Sequence, residues 1–280
     1  MKDYIKVMKD FSFILSARDD NYTGNFIERF SIALKENLNI LDKSGLNYEI
    51  IVVDYNPDLN KRLIDNYILK ELLIHPNVRN IIVDRSILVD DNLPENGFYE
   101  YYAKNIGAIK SNGEFLFMTN ADIIISDEII NYLKTLIGKD SCNFYRLRYR
   151  QEIQNGQNIG NILDLHWPDD VDEPICGVYA GDATIFPRKL FIDVATGYNE
   201  IDPNHRTPNG QASMDGEILW NLVKRGYEKI LVDLTYYHVH HQRQPKDSFY
   251  CKEKYINREN WGCKYYPNRV INENTIEIYK

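Results

Sequence analysis

The chain has 280 residues, 44% hydrophobic and 26% charged, a balance that fills one large α/β core and excludes a disordered protein. With 33 basic against 41 acidic side chains the net charge is −8, which repels a phosphate backbone and argues against a nucleic-acid partner. No apolar run approaches the roughly 20 residues that span a bilayer, and Phe11 to Leu15 is too short for a signal peptide. A soluble, cytoplasmic chain without a transmembrane segment is therefore expected, and the scattered Cys142, Cys176, Cys251 and Cys263 read as reduced structural thiols.

In chain order, Phe11 to Ser16 is a nearly continuous apolar run, as a buried parallel strand requires. Phe26, Ile27, Phe30, Ala33, Leu34 and Leu38 then recur at the spacing of an amphipathic helix, predicted over Phe26 to Leu41. Tyr48 to Asp54 is a second buried strand, stopped by Asn56-Pro57. Lys61 to Leu73 reads as a helix and Val78 to Val83 as a third strand. Tyr99 to Lys110 is helical, Glu114 to Met118 is a fourth strand, and Ile129 to Leu136 is a further helix. This alternation implies right-handed crossovers and a mostly parallel sheet.

The second half is less periodic. Gln151 to Cys176 carries turn residues and acids and is read as loop or hairpin, and Thr184 to Phe186 as a short strand. Gly216 to Lys224 is a helix with Gly226 in the position of a C-terminal cap. Lys229 to Tyr237 is a last strand that runs into three histidines, and the residues from Pro245 onward form a lid or a tail.

Five polar groups are candidates for chemistry, four of them at the carboxyl ends of strands, where an open parallel sheet places it. Ser16-Ala17-Arg18-Asp19-Asp20 follows the first strand, and the absence of a G-x-G-x-x-G pattern there argues against a dinucleotide-binding dehydrogenase. Asp54, ending the second strand, can accept hydrogen bonds from a base or ribose, or can serve as a plain turn former. Asn120-Ala121-Asp122 follows the fourth strand, where a carboxylate suits a hard cation such as Mn²⁺ or Mg²⁺; a cap for the helix beginning near Ser126 is the other reading. Asp215 and Glu217 open a helix, where the positive end of its dipole keeps a carboxylate ionised, whether for proton abstraction or for stability alone. His238, His240 and His241 close the last strand, either as metal ligands or as a surface cluster.

Together, the stretches FSFILSARDDNYTGNF, EIIVVDYNP, YYAKNIGAIKSNGEFLFMTNADIIIS, AGDATIFPRKLF with GYNE, and YHVHH resemble the inverting GT-A glycosyltransferases, in a family-2-like bacterial and viral branch. The resemblance runs from about Phe11 to His241. It implies a single GT-A domain over 1–280: a Rossmann-like, mostly parallel sheet flanked by helices, with a smaller mixed sheet on the acceptor side. Residues 11–125 would bind the nucleotide-sugar and 126–245 the acceptor, and 246–280 would form a tail or lid.

The resemblance also implies roles. Ser16, Ala17, Arg18, Asp20 and Asp54 would hold the nucleotide of a UDP-sugar donor, with Lys104, Asn105, Asn120 and Ala121 close to it. Asp122 would bind the metal, Mn²⁺ or Mg²⁺, with His241 and then His238 as its histidine partners. Gly181 and Asp182 would border the donor sugar and a glycan or other glycoside acceptor, and Asp215, or failing it Glu217, would act as general base; apart from the resemblance, Trp167 in the loop from Leu163 to Gly177 reads as an acceptor-side sugar-stacking or lid residue. Two positions depart from the pattern: Asn120 replaces the first acid of the Asp-X-Asp motif, and Met214 replaces the Glu before the base. A sugar-1-phosphate nucleotidyltransferase and a non-catalytic sugar-binding relative are the competing readings; the first would need a glycine- and lysine-rich phosphate loop after the first strand.

Overall fold

Four apolar runs become the parallel half of one sheet: β1 (Lys9–Ala17), β2 (Tyr48–Tyr55), β3 (Val78–Val83) and β4 (Gly113–Thr119), in the order β3-β2-β1-β4. Every residue of β2 is buried, because helices cover both faces of the sheet and leave no polar side to the strand. The computed structural model describes residues 8–20, 24–55, 57, 61–83, 100–139, 142–165, 182–198, 214–241 and 275–278. The side chains of Tyr102, Met214, Asp215, Glu217 and residues 275–278 are outside that description.

Strand alternation sorts the core into two layers. Phe11, Phe13 and Leu15 of β1 pack with Phe30, Leu34, Leu38 and Leu41 of α1 (Phe26–Ser44), whereas Ile14 faces the other layer with Ala103 and Ile106 of α3 (Glu100–Lys110). Helix α1 runs past the expected Leu41 and stops at Gly45, whose φ of 75° suits a residue without a Cβ. Gly107 lets α3 lie close to the sheet: a Cβ there would stand 2.6 Å from Ile14 Cγ2 and 3.1 Å from Val53 Cγ2.

The helix expected over Lys61 to Leu73 is broken. A 3-10 turn at Leu63–Asp65 and a single turn, α2 (Lys70–Leu73), flank Asn66, whose backbone is extended. Its Oδ1 accepts from the Ile68 amide at 3.0 Å and its carbonyl from the Leu69 and Lys70 amides, so local bonds replace the helical ladder.

The second half is a mixed extension of the same sheet. It comprises β5 (Ile123–Ile124), α4 (Asp127–Lys134), β6 (Phe144–Gln154), β7 (Gln157–Asp164), β8 (Ala183–Pro187), α5 (Met214–Lys224), β9 (Lys229–Val239) and β10 (Thr275–Ile278). The full order is β10-β3-β2-β1-β4-β8-β6-β9-β5, with β7 paired to β6. Strand β8 is antiparallel to β4 and β6, while β6 and β9 run parallel.

The stretch read as loop or hairpin is a hairpin over β6 and β7, turning at Asn155 and Gly156 with φ of 50° and 73°. Its first strand begins seven residues before Gln151, and residues 166–176 lie outside the described residues. Gly226, after α5, has a φ of 86°, as its predicted capping position requires. Within the segment from Pro245 onward the described part is β10, which adds an antiparallel edge strand to β3. Among the described residues no helix is long and apolar enough to cross a membrane.

Candidate functional site

Chain order reverses across β1, since β2 and β3 lie on one side of it and β4 on the other. Such a switch point opens a crevice at the carboxyl ends of the strands, where β1, β2 and β4 end in Ala17, Asp54-Tyr55 and Thr119. Ala17 is in register with Asp54. Asp54 is fully buried: its Oδ2 accepts from the Leu63 amide at 2.8 Å, and among the described residues its Oδ1 has no hydrogen-bond partner. Burial pushes its carboxyl up to about 7, against the pull of the Leu63 hydrogen bond and with Asp19 adding to the rise.

On the other side of the switch point, β4 ends at Thr119 and the chain turns through Asn120-Ala121-Asp122 into the short β5. Strand β9 pairs with β5 so that His238 stands opposite Ile123, and the Val239 amide bonds to the Asp122 carbonyl at 2.9 Å. This pairing carries the histidines to the Asp122 side chain across more than a hundred residues of sequence. Nε2 of His238 and Nε2 of His241 each lie 3.4 Å from Asp122 Oδ2, and the ligand atoms of all three residues fall within 4.8 Å of one another.

A separation of 3.4 Å exceeds a good hydrogen bond. It matches neighbouring ligands of one ion, which stand about 3.0–3.4 Å apart when metal bonds are about 2.1 Å. One carboxylate oxygen and two imidazole nitrogens are a donor set suited to Mn²⁺ and its neighbours, so these residues fit the expected cation. Burial alone would raise the Asp122 carboxyl, but His238, His241 and Arg29, whose Nε is 3.9 Å away, hold it below its usual value. Burial would lower His238, yet Asp122 and Glu152 carry it up to about 9. Either a proton or a metal ion on Nε2 balances those two carboxylates. His240 turns elsewhere, with Nδ1 3.4 Å from Glu152 and its side chain 40% exposed.

Behind the three residues lies a chain of polar contacts that joins Asp182, Asn120 and Lys104 to three residues not expected from the sequence, Arg150, Glu152 and Tyr236. Glu152 accepts from Arg150 at 2.7 and 2.9 Å, and Arg150 also pairs with the buried Asp182. The Tyr236 hydroxyl donates to Asp182 at 3.1 Å, and the Asn120 amide donates to its other oxygen at 2.7 Å. Asn120 Oδ1 accepts from Lys104, which pairs in turn with Glu100 at 2.6 Å. The amide of Asn120 thus donates to an acid and accepts from a lysine, and an ionised Asp could not do the first. These two bonds suit an amide at position 120. Burial raises the Asp182 carboxyl, opposed by Arg150, and burial with the nearby Asp182 raises the Tyr236 hydroxyl.

The remaining candidates are distributed as follows. Ser16 and Ala17 are buried in the end of β1, and Arg18 folds onto the exposed Asp20 at 2.8 Å. Asn105 is buried, and its amide makes reciprocal bonds with the Tyr198 backbone at 2.8 and 2.9 Å, a structural commitment. Asp215 and Glu217 belong to the first turn of α5, with side chains outside the described residues. Gly181 and Trp167 also lie outside them. A signal for Arg150 and Glu152 was present: the Asn155-Gly156 pair is a strong hairpin turn, and it places both residues on the strand before it.

No protein-family model matches the sequence, and no curated protein does. Solved structures do match. The chain is similar to a crystal structure of S. aureus TarS 1-349 in complex with UDP-GlcNAc, at 16% identity and a TM-score of 0.51, covering 86% of this chain and 61% of that one. It is also similar to the mannosyltransferase PcManGT from Pyrobaculum calidifontis in complex with GDP-Man and Mn²⁺, at 13% identity and a TM-score of 0.48, covering 87% and 59%. The chain spans about three fifths of the length of these structures. At this identity the TarS likeness establishes the fold: an α/β domain of the GT-A type, its curled central sheet flanked by helices.

Proposed function

We propose that this chain is a metal-dependent glycosyltransferase that moves a sugar from a UDP-sugar onto a hydroxyl of a glycan or other glycoside. The observation that carries the proposal is the meeting of Asp122, His238 and His241 beside the crevice at the switch point. The shared fold adds support, since TarS binds UDP-GlcNAc in the same architecture.

In this reading residues 11–125 hold the donor and 126–245 the acceptor. Asp54 Oδ1, buried without a partner among the described residues, accepts from the base or ribose, and Ser16, Ala17, Arg18 and Asp20 line the same end of β1. Asp122, His238 and His241 hold Mn²⁺ or Mg²⁺, which when bound neutralises charge on the departing diphosphate. Lys104 and Asn120 lie at the donor, and Asp182 keeps Asn120 in place from behind. Gly181 and Trp167 lie on the acceptor side. Asp215, with Glu217 as the alternative, takes the proton from the acceptor hydroxyl. The acceptor oxygen bonds to the anomeric carbon as the carbon–oxygen bond to the diphosphate breaks, so configuration inverts and a nucleoside diphosphate departs.

The test is release of UDP from a panel of UDP-sugars with Mn²⁺, repeated with EDTA and with D122A. Turnover that chelation and D122A both abolish is expected. If no UDP-sugar is consumed and none raises the melting temperature in Mn²⁺, the proposal is wrong. UDP-sugar formation from a sugar 1-phosphate and UTP would replace it with the nucleotidyltransferase.

A further inference from the structure

A histidine holds a metal through one ring nitrogen only when that nitrogen keeps its lone pair and the other carries the hydrogen. The imidazole ring can also rotate, so a useful ligand needs something to fix both tautomer and orientation. His238 has such a partner on its far side. Its Nδ1 is 2.8 Å from Glu152 Oε2, while its Nε2 faces Asp122. The pair is largely withdrawn from solvent, with side chains 6% and 19% exposed, which separates it from a solvated surface ion pair.

Glu152 is itself held twice. Strands β6 and β9 run in parallel register with Glu152 directly opposite His238, so the backbone sets their separation. The other carboxylate oxygen of Glu152 accepts both Nε and Nη2 of Arg150, a bidentate arrangement from one guanidinium. Arg150 is anchored in turn by Asp182, which Tyr236 and Asn120 also hold. From these contacts we infer that Glu152 is a positioning residue for the metal centre: by accepting the Nδ1 hydrogen of His238 it turns Nε2 toward the cation shared with Asp122 and His241. The inference rests on the proposed metal site and adds to it a residue that touches neither substrate nor ion.

Calorimetric titration of Mn²⁺ into the wild-type chain, H238A, E152Q and E152A tests it. The wild type binds Mn²⁺ and H238A binds it much more weakly. E152A, with no acceptor for Nδ1, loses about ten- to a hundredfold in affinity, the range for removing such a partner. E152Q keeps a neutral acceptor oxygen and falls between the two, and it also carries the test if E152A does not fold. A second readout separates positioning from mere stabilisation: with Mg²⁺ bound, nitrogen NMR shows the Nδ1-protonated tautomer of His238 in the wild type and a tautomer mixture in E152A. A wild type that binds Mn²⁺ while both Glu152 variants bind it within twofold as tightly overturns this inference alone. A wild type that takes up no Mn²⁺ overturns the metal site and the inference with it.

Discussion

Two buried polar clusters stand at opposite ends of the same strands, and they are built differently. At the amino ends, the Glu49 carboxylate accepts from Ser12 Oγ at 2.6 Å, from the Asn112 amide at 2.5 Å, from Asn112 Nδ2 at 3.1 Å and from Arg79 at 2.9 Å. Both oxygens of this carboxylate are bonded, and the donors come from β1, from β3 and from the residue before β4. At the carboxyl ends, Asp122 Oδ2 faces His238, His241 and Arg29 at 3.4, 3.4 and 3.9 Å. At the carboxyl end of β2, Asp54 keeps one oxygen without a partner among the described residues. A carboxylate with both oxygens bonded stabilises the fold, whereas groups spaced for a further ligand are what a binding site requires.

If that contrast holds, substitutions at the two ends should fail in different assays. The largest effect expected is on rate: D215N should lose about 10²–10⁴-fold in turnover while donor binding persists, as a binding titration beside a UDP-release assay would register. Next, E49A should destabilise the fold by about 3–5 kcal/mol, because it takes the carboxylate from Arg79 and the acceptor from the Ser12 hydroxyl and the Asn112 amide. In denaturant titrations D122A should cost less stability than E49A, and it alone should remove Mn²⁺ binding.

The sign of pH dependence should divide the clusters as well. Burial would raise Glu49, but Ser12, Arg79 and Asn112 hold it below its usual value. Its stabilisation is therefore present above the unfolded value near about 4 and is lost as pH falls through the folded one. Asp54 behaves oppositely, since burial raises it from 3.8 to about 7. The unfolded chain releases that proton first, so between about pH 4 and 7 stability falls as pH rises, by on the order of 4 kcal/mol. Melting curves of D54N across this window should show a shallower decline than the wild type. The smallest effect expected is for N120D, which sets a second carboxylate against Asp182 and should cost about 1–3 kcal/mol.

Legibility in the sequence follows the same division. Strands β1 to β4 could be read directly because burial on both faces makes them continuous apolar runs. Asp122 was legible as an acid on a turn just after such a run. Strand β6 was not, since FYRLRYRQEIQ places Arg146 and Arg150 at buried positions and so hides the apolar pattern. Glu152 owes its place opposite His238 to strand register between residues 86 apart, which no local pattern encodes. The broken helix at Asn66 has a local cause, a side chain that bonds its own backbone two residues on.

Where a divalent ion binds decides whether Asp122, His238 and His241 form a metal site. Anomalous diffraction at the manganese edge, from crystals grown with Mn²⁺ and UDP, should give a peak between Asp122 Oδ2 and the Nε2 atoms of His238 and His241, with the diphosphate against it. A peak elsewhere in the crevice, or UDP bound with no manganese among these three side chains, would contradict it.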